Sequence, residues 1–496
     1  MKYMKYILSI DQGTTGTTVM LLDKALRVKS KVNNEFKQYY PEPGWVEHDP
    51  EEIWAGTLKT IDQALKKSRV EGSDIAGIGI TNQRETTVLW DKESGRPVHR
   101  AIVWQDRRTA AFCESLREKG LLPVVKEKTG LVLDPYFSAT KIRWILSHIK
   151  QAEQLALKGR LAFGTIDSYL VYKLTGGTVH VTDVTNASRT LLMSLKALAW
   201  DDELLKIFDI PKDILPEIRS CAEVYGVTRG CGVLPDGIPV AGMAGDQQAA
   251  LFGQACFKAG EAKCTYGTGS FLLMNIGERP VLSESGLLTT VAWKLGDTVN
   301  YALEGSVFVA GAVVQWLRDE LKIISQASEI EKLAKTVTDN GGVHFVPALA
   351  GLGAPYWDPH ARGMITGLTR GSNRGHIARA ALEGIAFSQY DVLSAMQRDS
   401  GHKLKTLKVD GGACANNLLM QFQSDILGCE IIRPMIIETT AMGAAFLAGL
   451  GSGLWQDQNE ISKGLKVDKK FGPKMSDASR KSQTDHWQRA VARVRA

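Results

Sequence analysis

The stretch Tyr6-Ile-Leu-Ser-Ile10-Asp11-Gln12-Gly13-Thr14-Thr15-Gly16-Thr-Thr-Val19-Met-Leu-Leu22 decides how the rest of the chain is read. Two apolar runs, 6–10 and 19–22, flank a turn holding a carboxylate, a glycine and two hydroxyls, the pattern of strand, tight turn, strand. Such a hairpin aims successive backbone N–H groups into one small concavity that suits phosphate oxygens. Asp11, closing the first strand, is placed to hold the water shell of a Mg2+ that accompanies those phosphates. Taken alone, the same residues also make an ordinary hairpin with a polar turn.

The pattern returns downstream. Strand-like runs at 262–266 and 271–276 flank Gly267-Thr268-Gly269-Ser270, a second hairpin of glycines and hydroxyls. A third segment, Leu407-Lys-Val-Asp410-Gly411-Gly412-Ala-Cys-Ala-Asn416, reads as a strand ending in Asp-Gly-Gly before a helix that begins near Asn416. Leu418, Leu419, Phe422 and Ile426 share one face of that helix, and Gly428 suits its C-cap. Glycines here let a flat base or ribose approach the backbone closely. Each half of the chain thus opens with a phosphate-type hairpin, which predicts a duplicated domain. The boundary falls near 253–260 and divides the chain into 1–253 and 254–496. No low-complexity linker separates the halves, so they are expected to pack closely around a hinge.

Local patterning agrees with mixed α/β domains. Strands are expected at 5–10, 18–22 and 27–33, then a helix with Asp49 as N-cap, Pro50 at its first position and Glu52 completing a capping box. Ile53, Trp54, Thr57, Leu58, Ile61 and Leu65 keep helical spacing, and strands follow at 75–81 and 86–90. A helix is expected through 311–321. The uncharged stretch 439–456 contains glycines and polar residues and reads as a buried helix packed through small residues, not a membrane span.

At 496 residues the chain exceeds what one core supports, and 44% hydrophobic with 23% charged residues fits a globular protein. Its 48 glycines exceed the about 35 of average usage, which points to function carried on Gly-built loops. The net charge of +6 is small and dispersed, and the densest basic patch, 463–474, contains Asp468, so nucleic acid is a poor candidate partner. Seven cysteines with no CxxC pair predict reduced, buried thiols in a cytoplasmic protein. The apolar opening is broken at Asp11, too early for a signal peptide.

With these three loops in place, further segments resemble the FGGY carbohydrate kinases of the actin/heat-shock-chaperone/sugar-kinase superfamily. Tyr136-Phe-Ser-Ala-Thr-Lys141-Ile-Arg-Trp144 resembles the first family signature. Gly363-Met-Ile-Thr-Gly367-Leu368 followed by His376-Ile-Ala-Arg-Ala-Ala-Leu-Glu383 resembles the second. Thr81-Asn-Gln-Arg-Glu-Thr86, Val103-Trp-Gln-Asp-Arg-Arg108, Ala244-Gly-Asp-Gln-Gln-Ala-Ala250 and Tyr266-Gly-Thr-Gly-Ser-Phe271 are similar to the members that act on glycerol. The resemblance spans almost the whole chain.

It implies two actin-like (ribonuclease H-like) α/β domains of mixed sheets with flanking helices and a nucleotide cleft between them. It implies ATP-dependent phosphorylation of glycerol to sn-glycerol 3-phosphate with Mg2+, and a homo-oligomer. By the resemblance Asp246 is the catalytic base; taken alone it is also a helix N-cap. Arg84 and Glu85 are the polyol clamp, Tyr136 and Gln247 complete the hydroxyl contacts, and Trp104 and Phe271 are aromatic walls. Taken alone, Arg84-Glu85 is a surface charge pair and the two aromatics are core residues. Thr14, Thr15 and Gly16 line the first phosphate loop, and Thr268 lies in the second. Gly311 and Gln315 contact nucleotide, Gly412 and Asn416 flank adenosine, and Asp11 serves the metal. Gly311 also suits a helix–helix contact.

One departure stands out: Thr18 occupies the place where the glycerol-specific members usually carry Arg; activity is expected to persist on the backbone cradle, and nucleotide affinity and turnover are the quantities this change bears on. Another sugar or polyol kinase of the family, such as a ketopentose kinase, is the nearest alternative. A chaperone or filament protein on the same scaffold needs no polyol clamp, and a decayed, non-enzymatic member would not keep Asp11, Asp246 and Thr268.

Overall fold

A computed structural model describes residues 5–495 of the 496. Its framework is two mixed sheets. In the first, β1 (Tyr6–Gln12), β2 (Gly16–Asp23) and β3 (Val28–Glu35) form an antiparallel meander. Parallel to β1 lies β4 (Ile75–Asn82); β5 (Ala222–Val227) forms the edge, antiparallel to β6 (Pro239–Gly245), which lies parallel to β4. The order is β5-β6-β4-β1-β2-β3. Ile7, Leu8, Ile10 and residues 19–22 are fully buried, as near-continuous apolar strands covered on both faces must be.

The second sheet repeats the plan. It contains β7 (Glu261–Tyr266), β8 (Ser270–Gly277), β9 (Leu288–Leu295), β10 (Thr298–Val307), β11 (Thr406–Asp410), β12 (Glu430–Pro434) and β13 (Val467–Phe471). The order is β9-β10-β8-β7-β11-β12-β13, with β7–β11 and β11–β12 parallel and the other pairs antiparallel. Matching β7, β8 and β10 to β1, β2 and β3 leaves β9 as one added outer strand. The duplicated pattern is therefore real in topology.

Helix α1 (Pro50–Ser68) starts where expected, with Asp49 Oδ1 accepting from Glu51 N at 2.9 Å and Pro50 at its head. The expected capping box does not form. Glu52 instead accepts from the Tyr39 hydroxyl at 2.5 Å, a partner that ties the helix to the loop before it. The signature helix α2 (Ser138–His148) follows, and α3 (Asp246–Gly253) continues directly from β6. In the second half α4 (Gly311–Asp319), the long α5 (Arg374–Ser400) and α6 (Asn417–Leu427) flank the second sheet. Gly428 closes α6 with φ of 66°, the left-handed region expected of its C-cap.

Helix α7 (Thr439–Gly451) is the predicted small-residue helix, buried along nearly its whole length. It follows the second sheet in sequence yet packs on β1, β4, β6 and α3 of the first. Gly79 and Gly242 leave no room for a methyl group against the backbone of Ala444 and Ala448, nor does Gly443 against Ala249. The Ser9 hydroxyl donates to Ala441 O at 2.6 Å across this seam. All seven cysteines are buried and unpaired. Among the described residues no helix is long and apolar enough to cross a membrane.

Candidate active site

The first hairpin closes with Gly13 N donating to Gly16 O at 2.9 Å. A buried polar chain supports it from below. Gln12 Nε2 donates to Gly13 O at 2.8 Å, and Gln83 Nε2 reaches Gln12 Oε1 at 3.0 Å and His48 Nδ1 at 3.2 Å. His48 Nε2 then meets Gln38 Oε1 at 2.5 Å, and Gln38 Nε2 donates to Thr14 O at 3.0 Å. Burial holds the His48 pKa down at about 4, so a neutral ring accepts at Nδ1 and donates at Nε2, as both neighbours require. Thr15 at the tip is exposed, and Gly16 admits the Asn34 carbonyl where a side chain would crowd it.

Asp11 is the penultimate residue of this hairpin's first strand and is half-buried. Burial, then the charge of Asp246, push its carboxyl up to about 7. Among the described residues no group of three or more ligating side chains offers a complete protein-built metal site. Thr18 stands directly opposite Asp11 in the strand register, and its hydroxyl accepts from Asn33 Nδ2 at 2.9 Å.

The pair Arg84-Glu85 is buried, not a surface charge pair. It follows β4, and Glu85 holds φ of 61°, a left-handed conformation for a non-glycine residue and a mark of functional sites. Both terminal nitrogens of Arg84 donate twice to protein. Its Nε contacts Asp246 Oδ1 at 3.1 Å, Nη1 donates to Gln248 Oε1 at 3.2 Å and to Glu304, and Nη2 donates to Tyr136 Oη at 3.3 Å and Glu304 Oε1 at 3.1 Å. Glu85 accepts from Arg189 Nε at 2.7 Å, and Arg189 Nη2 donates to Glu304 Oε1 at 2.9 Å. Burial alone would raise the Glu304 carboxyl; Arg189 and Arg84 outweigh it and hold it at about 2. Glu85, with fewer donors, is raised by its burial.

Asp246 is the first residue of α3, with Gly245 at the cap, so it is not the N-cap. Its Oδ1 accepts from Gln247 N at 2.7 Å, and its side chain is 31% exposed, enough to face a substrate. Tyr136 meets the Trp104 ring edge-on at 5.6 Å, and the Trp104 indole donates to Thr14 Oγ1 at 2.9 Å. The aromatic wall and the phosphate hairpin are thus joined by one hydrogen bond. Both aromatics are half-buried, as walls of a cleft are.

The second lobe supplies the opposite face. Register places Lys263, Thr265, Phe271, Leu273, Glu304 and Ser306 on one side of its sheet, which brings Phe271 to the side occupied by Glu304. Lys263 is buried, donates to Thr265 Oγ1 at 2.9 Å and reaches the Gln247 amide oxygen in α3. The Gln247 amide NH2 is the group left to meet a hydroxyl. Burial lowers the Lys263 pKa, opposed by Asp410 and Asp246.

Thr268 is exposed at the tip of the second hairpin. Gly311 N donates to Gly267 O at 3.0 Å, and Ala310 and Ala312 donate to Thr268 O at 2.8 and 3.0 Å. A side chain at 311 would strike the Gly267 carbonyl, so this glycine serves a helix-to-hairpin contact, not a helix–helix one. Gln315 is exposed one turn along α4. Gly411, with φ of 83°, backs onto Tyr266, whereas Gly412 faces open space. Asn416 caps α6 by accepting from Leu419 N at 3.0 Å. Thr268, Gly311 and the 411–412 turn therefore form one unit, while Thr14 belongs with Trp104 and Tyr136.

Sequence reading missed Arg189, Glu304, Lys263 and Lys141. The signal for Glu304 and Lys263 is a charge inside an apolar strand, Tyr301-Ala-Leu-Glu304 and Ala262-Lys263-Cys264. Lys141 donates to the carbonyls of Pro135, Tyr136 and Phe137 at 2.9, 2.6 and 2.9 Å and so fixes the backbone that carries Tyr136.

Two α/β lobes of mixed sheets, each opening with a Gly/hydroxyl hairpin and joined through the buried Arg84–Glu85–Arg189–Glu304 cluster, make the scaffold of a two-domain phosphotransferase. The N-terminal domain model of the FGGY family of carbohydrate kinases matches residues 6–253, and its C-terminal domain model matches 262–452. The chain belongs to this family. It is 59% identical to the glycerol kinase of Myxococcus xanthus over 492 residues, 99% of each chain. It is 57% identical to that of Petrotoga mobilis over 491 residues, 99% of this chain and 98% of the relative. The structure of Plasmodium falciparum glycerol kinase with ADP matches with a TM-score of 0.94 and 40% identity, covering 99% of this chain and 98% of that one. Gluconate kinase from Lactobacillus acidophilus matches at 0.88 with 25% identity, covering 99% and 97%.

Proposed function

We propose that the chain transfers the γ-phosphoryl group of ATP to glycerol, giving sn-glycerol 3-phosphate and ADP. The observation that carries this reading is the cluster of Arg84, Glu85, Tyr136 and Asp246 beside Trp104: a fork of donors next to acceptors, the chemistry that hydroxyls which both give and receive require. High identity to glycerol kinases along the full chain supports it over a ketopentose kinase.

Asp246 acts as general base. Oδ1 is engaged by Gln247 N and Arg84 Nε, and Oδ2 takes the proton from the acceptor hydroxyl as that oxygen bonds to the γ-phosphorus and the bond to ADP breaks. The longer Arg84 contacts, to Tyr136 and Gln248, are those a polyol hydroxyl can replace. Thr14, Thr15 and Gly16 bind phosphate from the first lobe and Thr268 from the second; Gly311, Gln315, Gly412 and Asn416 accommodate the nucleoside. Asp11 would hold Mg2+ through water, and the bound ion neutralises phosphate charge. Closure around both substrates excludes the water that would otherwise hydrolyse ATP. A homo-oligomer in the cytoplasm belongs to the same reading, and the seven unpaired thiols suit a reducing compartment.

Asp246→Asn tests the assignment. ATP and glycerol binding are expected to persist by calorimetry, while turnover falls by about 100-fold or more. Normal turnover in that variant removes Asp246 from the mechanism.

A further inference from the structure

The clamp that faces the polyol is aimed from the other lobe. Glu304 lies within β10 of the second sheet, yet its carboxylate receives both terminal nitrogens of Arg84 and Nη2 of Arg189, all from the first lobe. A bidentate fork fixes the plane of a guanidinium as well as its position. No first-lobe residue does this for Arg84: Glu85 approaches Nε only at 3.8 Å, and Gln248 and Tyr136 each take a single bond. With the plane fixed by Glu304, Nε lies 3.1 Å from Asp246 Oδ1 as an ion pair, and Nη2 also donates to Tyr136 Oη.

We infer that Glu304 is a positioning residue for the acceptor substrate, orienting Arg84 toward the polyol from across the cleft. The inference rests on the glycerol kinase reading above. It has a second consequence within the strand. From Glu304, β10 runs through Val307 toward Gly311, whose amide is bonded to the hairpin that carries Thr268. One strand therefore carries the residue that aims the clamp and leads into the segment that braces the nucleotide loop. A purely structural role, neutralising two buried guanidinium groups, predicts lost stability but no selective change in polyol capture.

Three variants separate these roles. Glu304→Gln combined with Arg189→Gln removes one charge of each sign and keeps the cluster balanced. Glu304→Asp keeps the charge but withdraws the carboxylate by one methylene, which breaks the fork. Arg84→Ala removes the clamp itself. In steady-state assays on the full chain, both Glu304 variants are expected to raise the glycerol KM by about tenfold or more. The ATP KM should stay within about threefold of wild type, and kcat should fall by a smaller factor than the glycerol KM rises. A folded Glu304 variant with the wild-type glycerol KM, or one that loses kcat alone, overturns the inference; Glu304→Asp decides if the double variant does not fold. If Arg84→Ala raises the glycerol KM while the Glu304 variants do not, the positioning role fails and the kinase reading stands. An unchanged glycerol KM in Arg84→Ala sinks the clamp reading, and the positioning role with it.

Discussion

Thr18 is the residue of the first hairpin whose replacement bears most directly on the proposed phosphate site. It lies opposite Asp11 on the same face of the β1–β2 ribbon, and its short hydroxyl is satisfied by Asn33, so the phosphate side receives no cation from this strand. A guanidinium there would add a charge-assisted bond of about 1.5–3 kcal/mol. Thr18→Arg is expected to lower the ATP KM by about tenfold or more, with little change for glycerol; an ATP KM that stays put shows that the backbone cradle already saturates the phosphates. The residue scale is also where sequence reading reached least far. Arg84 could be placed beside Glu85 from adjacency alone, but its strongest partner is 220 positions away, and no local spacing encodes that distance. Asp246 shows the same limit in miniature: a one-residue shift of the helix start separates a capping acid from one free to meet substrate.

At the scale of elements, what was legible was what turn chemistry and burial write locally. Both hairpins, the Asp-Gly-Gly turn before α6 and the start of α1 depend on residues within a few positions of one another, so their patterns survive without knowledge of the fold. The Glu52 capping box failed because a tertiary partner, Tyr39, competed for the carboxylate. Helix α7 was readable as a buried small-residue helix, but its seat on the opposite lobe's sheet was not, because glycines record close approach without naming the partner. That seat is exacting. Gly443→Ala is expected to cost about 1–3 kcal/mol through forced backbone displacement against Ala249. At about 1 °C per kcal/mol for a chain of this length, the melting temperature should drop by about 1–3 °C; an unshifted transition means the helix slides to accommodate the methyl.

For the molecule as a whole, the two sheets share one plan, and chemistry sits where they face each other. The phosphate hairpin of the first lobe is tied to the aromatic wall through Trp104 and Thr14, and the second lobe reaches across with Lys263 and Glu304. These contacts couple the two lobes directly. The crossing of α7 has a different consequence, one for how the protein can be divided. A polypeptide cut after residue 253 would lack the helix that roofs its own sheet, leaving the bare glycine face of β4 and β6 and the flank of α3 wet. Expressed separately, that amino-terminal piece should aggregate, whereas co-expression with residues 254–496 should yield a soluble complex by complementation. A soluble, monomeric amino-terminal piece with a sharp melting transition would mean that the borrowed helix is dispensable to it.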